Sequence, residues 1–87
     1  MNLTTKGKYA VTAALDLAMQ QTIADGFTKI SDVAKRQDIP AAYLEQIFSR
    51  LRKAGILQAA RGPNGGFKLS RQRDKVMIGE IISAVER

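Results

Sequence analysis

Residues 30–55, ISDVAKRQDIPAAYLEQIFSRLRKAG, decide the fold because they contain two helical patterns separated by a proline. The apolar residues before the proline recur at i, i+3 and i+4, as in a helix that is buried along one side. Pro40 disfavours helical backbone at the residue before it and suits entry into a new helix. The pattern predicts helices over about 31–37, capped by Ser31, and over about 41–54. Two helices joined by a tight turn are typical of a helix-turn-helix.

The second predicted helix has one narrow apolar stripe on an otherwise polar surface. The stripe consists of Leu44, Ile47, Phe48 and Leu51. The opposite side holds small, amide, hydroxyl and charged groups: Ala42, Glu45, Gln46, Ser49, Arg50, Arg52 and Lys53. A helix in the DNA major groove uses this mixture, because small residues allow close approach while amide and basic groups contact base edges and phosphates. Any solvated surface helix also has a polar face, so both interpretations stay open.

A basic β-hairpin is predicted directly after this helix. Gly55 ends the helix, and the strand-compatible segments 56–60 and 67–70 enclose a run of turn-forming residues. That run is Arg61-Gly62-Pro63-Asn64-Gly65-Gly66. The order predicts a winged helix-turn-helix, with the helix-turn-helix over about 31–54 and the wing over about 56–70.

The tip of the hairpin has little side-chain bulk, so its backbone can approach a phosphate or enter a narrow groove. Arg61 beside it suits the negative potential of a narrow minor groove. The tip residues Gly62, Pro63, Gly65 and Gly66 also shape a turn, which alone would explain their presence. Neither a P-loop nor a dinucleotide-binding spacing occurs here, so no nucleotide site is predicted.

Helices at both ends complete a single domain over 1–87 that is mainly α with a small β-hairpin. The first helix, about 4–21, has apolar residues around most of its circumference, which indicates that it is largely buried. The last helix, about 76–86, has one buried side. That side consists of Met77 or Ile78, Ile81, Ile82 and Val85. Residues 27–29 form either a very short strand or simply extended chain.

Lys6 and Lys8 lie at the start of the first predicted helix. Backbone N–H groups at a helix start, together with two lysines, would make a phosphate anchor. Lysine at an exposed helix end is also commonplace, and Tyr9 beside them suits the core equally well. The two interpretations have equal weight.

Composition excludes several classes of protein and site. Eighty-seven residues make room for one domain with one small core. The chain has no cysteine and no histidine, which excludes disulfides, the usual zinc and iron–sulfur ligand sets and Ser-His-Asp catalysis within it. No apolar run approaches the ~20 residues of a membrane span. We therefore expect no cofactor, no metal and no membrane partner for this chain.

Positive charge is concentrated in one part of the sequence. The chain has 14 Lys and Arg against 8 Asp and Glu, a formal charge of +6. Residues 50–75 contain eight basic residues and one acid, a net charge of +7. A one-sided basic block by itself indicates a polyanionic partner, either nucleic acid or an acidic membrane surface. The dispersed acids show no catalytic pairing and are predicted to be solvated charges or helix caps, so the chain is not predicted to be an enzyme. They are Asp16, Asp25, Asp32, Asp38 and Glu45.

Four segments resemble the IscR-type family of bacterial transcription regulators. They are LTTKGKYAV at 3–11, YLEQIFSRLRKAG at 43–55, RGPNGGF at 61–67 and IGEII at 78–82. The resemblance implies a winged helix-turn-helix regulator, usually a repressor, that binds palindromic double-stranded operator DNA as a homodimer in the bacterial cytoplasm, associated with the nucleoid. Members sense iron–sulfur cluster status, nitric oxide or cysteine metabolism.

Residue by residue, the resemblance implies specific contacts with DNA. Ala42, Tyr43, Glu45 and Gln46 would face the major groove, and Arg61 with the wing would enter the minor groove. Members of the family are usually about twice this length, with a long dimerisation helix and, where a cluster is bound, a cysteine-bearing loop. This chain is therefore expected to be a monomer or weak dimer, and a cluster would require a longer parent protein.

Two other functions remain in competition with sequence-specific DNA binding. One is a winged helix that acts as a protein-interaction module, which would bind DNA weakly and without sequence preference. The other is RNA binding, against which the lack of exposed aromatic stacking motifs argues.

Overall fold

The structure is a computed structural model that describes residues 4–70 and 78–86. These residues form four helices and a two-stranded antiparallel hairpin. They are α1 (Thr5–Ile23), α2 (Ile30–Gln37), α3 (Ala41–Lys53), β1 (Leu57–Ala60), β2 (Gly66–Leu69) and α4 (Ile78–Glu86). The predicted class, mainly α with a small β-hairpin in a winged helix-turn-helix, is confirmed.

The turn between α2 and α3 is made by Asp38, which adopts left-handed backbone angles of φ 54° and ψ 49°. Aspartate tolerates this conformation better than most residues, because its short polar side chain bonds locally. The amide of Ile39 donates to the Ala34 carbonyl at 3.1 Å and closes the end of α2. The predicted cap at Ser31 is wrong, because α2 begins one residue earlier, at Ile30, and its N-cap is Lys29. Ile30 packs against the core as part of the helix.

The core lies where α3 packs between α1, α4 and the hairpin. Its largest fully buried side chains are Phe48, Leu17, Leu44, Ile47, Leu51, Ile56, Val33 and Val85. Each such side chain stabilises the fold by about 1.5–3 kcal/mol. The predicted apolar stripe of α3 is thus confirmed as its buried side. The buried residues of α1 are mostly small and include Ala10, Ala13 and Ala14.

One side of α1 is exposed, so the prediction of a largely buried first helix is wrong. Leu15, Met19 and Ile23, spaced four residues apart, are 56%, 65% and 76% exposed. We call these three residues the α1 stripe. On α4, Ile81 and Val85 are buried as predicted, whereas Ile78 is 56% exposed; Met77 lies outside the described residues. When apolar residues occur on nearly every side of a helix, the sequence does not indicate which side packs against the rest of the domain. This explains the wrong prediction for α1.

The extended chain before α2 makes an isolated bridge to the hairpin. β1 and β2 pair from Leu57 opposite Leu69 to Ala60 opposite Gly66. Thr28 forms a bridge with Phe67 through two hydrogen bonds of 2.8 Å. The extended chain predicted around residues 27–29 therefore joins the wing to the start of α2. No helix in 4–70 or 78–86 has both the length and the apolar character to cross a membrane.

An ion pair between a buried carboxylate and a partly exposed guanidinium connects α1 to α2. Asp16 is 3% exposed, and its carboxylate accepts hydrogen bonds from Arg36 Nε at 3.0 Å and Arg36 Nη2 at 2.8 Å. Gln37 Nε2 donates a third at 2.9 Å. The prediction that Asp16 is a solvated charge or cap is wrong, because its partners come from a helix twenty residues away. Burial alone would raise the pKa of Asp16, but the bonds from Arg36 and Gln37 and the guanidinium charge outweigh it and hold the pKa below its usual range.

Acid should weaken the fold through this pair. A carboxyl with a lowered pKa in the folded state stabilises the protein at pH values above its ordinary pKa, and this contribution is lost as pH falls through the folded-state pKa. Urea denaturation of the wild type should therefore show a loss of stability below about pH 4 that Asp16→Asn lacks. Parallel pH profiles for the two proteins would contradict this assignment.

Candidate nucleic-acid interface

The exposed side of α3 brings together six of the seven contact residues predicted on this helix. Ala42, Glu45, Gln46, Ser49, Arg50 and Lys53 are all exposed and together line a shallow depression of about 530 Å³. Because the apolar stripe on the opposite side of α3 is completely buried, this side faces solvent. The depression contains one acid, two basic groups, an amide, a hydroxyl and a small residue, so it offers both donors and acceptors to a ligand surface.

The basic end of α3 also suits the helix itself. Arg50, Arg52 and Lys53 occupy its last turn, and no acid occupies its first. Cations near a helix C-terminus interact favourably with the helix dipole, typically by about 0.3–1 kcal/mol each at an exposed site. These charges therefore have a local structural reason, and their presence alone does not show that they bind nucleic acid.

Tyr43 lies apart from the other predicted α3 contacts. Its ring is half-buried and packs edge-on against Tyr9 of α1, with centroids 5.2 Å apart and planes at 84°. It lines a second depression, of about 340 Å³, together with Lys6 and Glu86. The structure thus joins Tyr43 to the start of α1 rather than to the depression that contains Gln46.

The start of α1 is already capped from within the chain. The Thr4 hydroxyl accepts from the Gly7 amide at 3.0 Å and donates to Glu86 Oε1 at 2.8 Å. A Cβ on Gly7 would lie 2.7 Å from the same carboxylate oxygen, so glycine permits this close approach. The carboxylate of α4 therefore occupies the position where an external anion was expected to meet backbone amides. Lys8 is exposed and Lys6 partly so, which leaves their ammonium groups as the basic features of this helix end.

The wing presents a small exposed tip. Arg61, Gly62, Pro63 and Asn64 are exposed, and the Gly65 amide donates to the Gly62 carbonyl at 2.9 Å to close the turn. The wing is held against α3 by the edge-on contact of Phe67 with Phe48, whose centroids are 5.0 Å apart. At the base of the wing, Lys68 lies over the Phe27 ring, 4.9 Å from its centroid.

Two tip glycines are required by packing inside the wing. Gly65 is buried, and a Cβ there would collide with the Ala60 carbonyl oxygen. Gly66 has φ +141°, and its Cβ would collide with the Thr28 carbonyl oxygen. Gly62 has φ +104° but open space around it, so only its backbone angle favours glycine. The structural explanation of the glycines thus holds for Gly65 and Gly66, whatever the tip binds.

Part of the basic block lies beyond the described chain. Arg50, Arg52, Lys53, Arg61 and Lys68 belong to the described residues and come from α3 and the wing. Arg71, Arg73 and Lys75 lie outside them. Two contacts that the sequence did not reveal are the Asp16 pair and the Thr4–Glu86 cap. An acid inside the apolar run at residues 10–19 was a signal for the first, whereas nothing local indicated the second.

Comparison with known proteins identifies the family. The sequence model of the Rrf2 family, described as an iron-dependent transcriptional regulator, matches residues 3–87. The chain belongs to the Rrf2 family. The IscR transcriptional regulators of Cereibacter sphaeroides and Aliivibrio salmonicida are each 48% identical over 86 residues, which is 99% of this chain and 56% and 50% of theirs. The chain therefore spans about half the length of the curated relatives it matches.

Solved structures of the family share the fold. CymR, the global cysteine regulator of B. subtilis, superposes with a TM-score of 0.91 at 34% identity, covering 99% of this chain and 65% of CymR. The IscR of T. potens has a TM-score of 0.88 at 38% identity and covers all of this chain and 62% of its own. The resemblance to IscR-type regulators is confirmed. Membership in a family of transcriptional regulators also supports the prediction that the chain is not an enzyme.

The residues present do not fit the iron that the family description implies. The sequence has no cysteine and no histidine. Within 4–70 and 78–86, no group of three or more carboxylates comes together in a way that could hold a metal ion. Iron–sulfur clusters are held by thiolates, with histidine as the alternative ligand in some centres, so this Rrf2 domain supplies no ligand set for one.

The wing glycines give a direct test of the wing geometry. Gly66→Ala should destabilise the domain by about 1–3 kcal/mol, because the new Cβ meets the Thr28 carbonyl at a strained backbone angle. Gly26→Ala is the matched control, since its Cβ would meet open space, and it should change stability by less than ~0.5 kcal/mol. The measurement is urea denaturation followed by circular dichroism. Equal stability of the two variants would contradict the described packing of the wing.

Proposed function

We propose that this Rrf2 domain is a sequence-specific DNA-binding transcription regulator, a repressor of the IscR type. The observation that carries the proposal is the outward side of α3, where six exposed side chains of mixed polarity share one depression opposite a fully buried stripe. A winged helix-turn-helix places such a helix in the major groove. The family of the chain supports the same function.

Base recognition is assigned to the middle of α3 and anchoring to the basic groups around it. The Gln46 amide pairs with adenine through two hydrogen bonds, Ser49 donates or accepts, and Ala42 permits close approach. Glu45 accepts from a cytosine amino group, since a carboxylate near phosphates is otherwise unfavourable. The phosphate contacts come from Arg50 and Lys53 at the end of α3, and from Lys6 and Lys8 at the start of α1.

The wing is assigned to the minor groove. Arg61 enters the groove where it is narrow and its potential most negative, while Gly62 and Pro63 bring the backbone close to the sugar–phosphate chain. Gly65 and Gly66 shape this tip from inside. Tyr43, which packs against Tyr9, contributes at the rim of the major groove beside Lys6.

The operator is proposed to be palindromic and the longer parent protein a homodimer, acting in the bacterial cytoplasm on the nucleoid. For this chain alone we expect a monomer or a weak dimer. The α1 stripe offers a second copy only three apolar side chains, too little for a stable interface on its own. We propose that this chain binds no cofactor, so that a sensing cluster would be held elsewhere in a longer protein.

Recognition and anchoring can be separated by two variants. The probes are the duplex enriched by this chain from a random DNA library and a scrambled duplex of the same composition. Gln46→Ala should lose about 1–3 kcal/mol on the enriched duplex and little on the scrambled one. Lys8→Ala should weaken both and lower the salt slope by about one. Fluorescence anisotropy over a range of salt concentrations measures both effects.

Lys35→Ala removes one exposed charge from α2, outside the proposed contacts, and serves as the control for Lys8→Ala. Circular dichroism confirms that each variant is folded. If Gln46→Ala lost affinity equally on both duplexes, α3 would not read sequence. A wild type with no preference between them would make a protein-interaction module the better description.

The association state has its own test. Sedimentation equilibrium of this chain should give a monomer with weak self-association at high concentration, and Met19→Glu should remove that association by placing a charge in the α1 stripe. Gln58→Glu adds the same charge on β1 and should leave it unchanged. A tight dimer that tolerates Met19→Glu would require a different interface.

A further inference from the structure

Asp16 is the buried charged residue among the described residues, and its partners lie shortly before α3 in the chain. Its two carboxylate oxygens are bound by three donors from the last two residues of α2, Arg36 and Gln37. The next residue, Asp38, makes the left-handed turn. Two residues later, Pro40 begins α3 as its N-cap. The carboxylate thus holds the chain at the junction between α2 and α3.

Apolar packing alone constrains α2 weakly. The helix has eight residues, of which only Val33 is buried, while Ile30 and Ala34 are half-buried. A helix this short is not stable by itself and takes its orientation from its contacts. This small apolar contact, together with the buried Ile39 after the helix, constrains rotation about the helix axis and sliding along it less than a longer buried side would. The two-point contact between Arg36 and Asp16 restricts both movements, because a planar guanidinium and a carboxylate fit in one geometry.

The Asp16 carboxylate is buried, whereas the Arg36 side chain is 37% exposed. Removing the carboxylate from water costs free energy that offsets part of its attraction to the guanidinium, so the pair is better suited to specifying an arrangement than to adding stability. An apolar pair at these positions would tolerate several rotations of α2. The α3 side chains must meet base edges at hydrogen-bond distance, which allows errors of about 0.5 Å.

We propose that Asp16, through Arg36 and Gln37, is a positioning residue for sequence recognition by α3. The inference rests on the proposed function of α3. The pair fixes the turn at Asp38, and the turn fixes where Gln46 stands relative to the wing and to Lys8. Without the ion pair the domain stays folded and still binds phosphates. However, α3, the wing and the start of α1 can no longer contact one duplex at the same time.

The test compares variants with equal change of charge. Asp16→Asn removes one negative charge and keeps the size of the side chain, and Asp25→Asn removes the same charge from an exposed turn. Both changes raise the net charge by one, which in general strengthens phosphate binding. Relative to Asp25→Asn, Asp16→Asn should lower affinity for the enriched duplex about tenfold and leave the scrambled duplex within about twofold. A purely structural role would reduce the folded fraction and lower both affinities by one factor.

Arg36→Lys keeps the net charge and the exposed end of the side chain but cannot form the two-point contact. Arg36→Lys should also lower the ratio of the affinity for the enriched duplex to the affinity for the scrambled duplex, by a smaller factor than Asp16→Asn. This result is available even if Asp16→Asn proves unstable. If both variants fold and keep the wild-type ratio, the inference is wrong. A wild type that shows no preference for the enriched duplex would overturn the proposed function, and the inference with it.

A second readout needs no DNA. In two-dimensional amide NMR spectra of the free domain, Asp16→Asn should shift the resonances of Ile39 and Gln46 by several line widths, because the turn and α3 move with α2. Shifts confined to the neighbours of Asp16 and Arg36 would show that α3 does not depend on the pair, and would overturn the inference even with the proposed function intact.

Discussion

The burial of one side of α3 is the constraint on which the rest of the structure depends. Leu44, Ile47, Phe48 and Leu51 are completely removed from solvent, so the helix has one rotation about its axis in which the core is filled. That rotation turns Gln46, Ser49 and Lys53 outward. Removing one of the buried side chains would leave a cavity, at a cost of about 2–5 kcal/mol, and would also loosen the outward side. Stability and the proposed recognition therefore depend on the same helix.

Rotation of α3 about its axis is one degree of freedom, and its direction in the domain is another. Besides the turn at Asp38, aromatic contacts with two neighbouring elements contribute to the direction of the helix. Tyr43 packs against Tyr9 at its beginning, and Phe48 packs against Phe67 of the wing. Edge-on ring contacts of this kind add about 0.5–1.5 kcal/mol beyond the area they bury, and they tolerate less sliding than aliphatic contacts. The aromatic residues of this small domain thus brace α3 between α1 and the wing.

The parts that the sequence predicts well are those determined by local patterns. The period of α3, the proline at its start and the turn formers of the wing are each read within a few residues, and the element boundaries agree within a few residues. Asp16 was misjudged because its environment is created by α2, and no local pattern shows that a charged residue has a partner twenty positions away. The exposed α1 stripe was missed for the opposite reason: a helix rich in apolar residues on every side has no periodicity from which to choose the buried one.

The capping of α1 changes how its lysines can act. A free helix start would offer an anion both backbone amides and the positive end of the dipole. Here the Thr4 hydroxyl holds the Gly7 amide, and the Glu86 carboxylate lies against the same turn. A phosphate approaching Lys6 or Lys8 therefore meets two flexible ammonium groups beside a carboxylate. Such contacts are long-range and sequence-independent, and they are screened by salt. The first helix thus anchors the proposed complex without specifying sequence, and discrimination between duplexes falls to α3 and the wing.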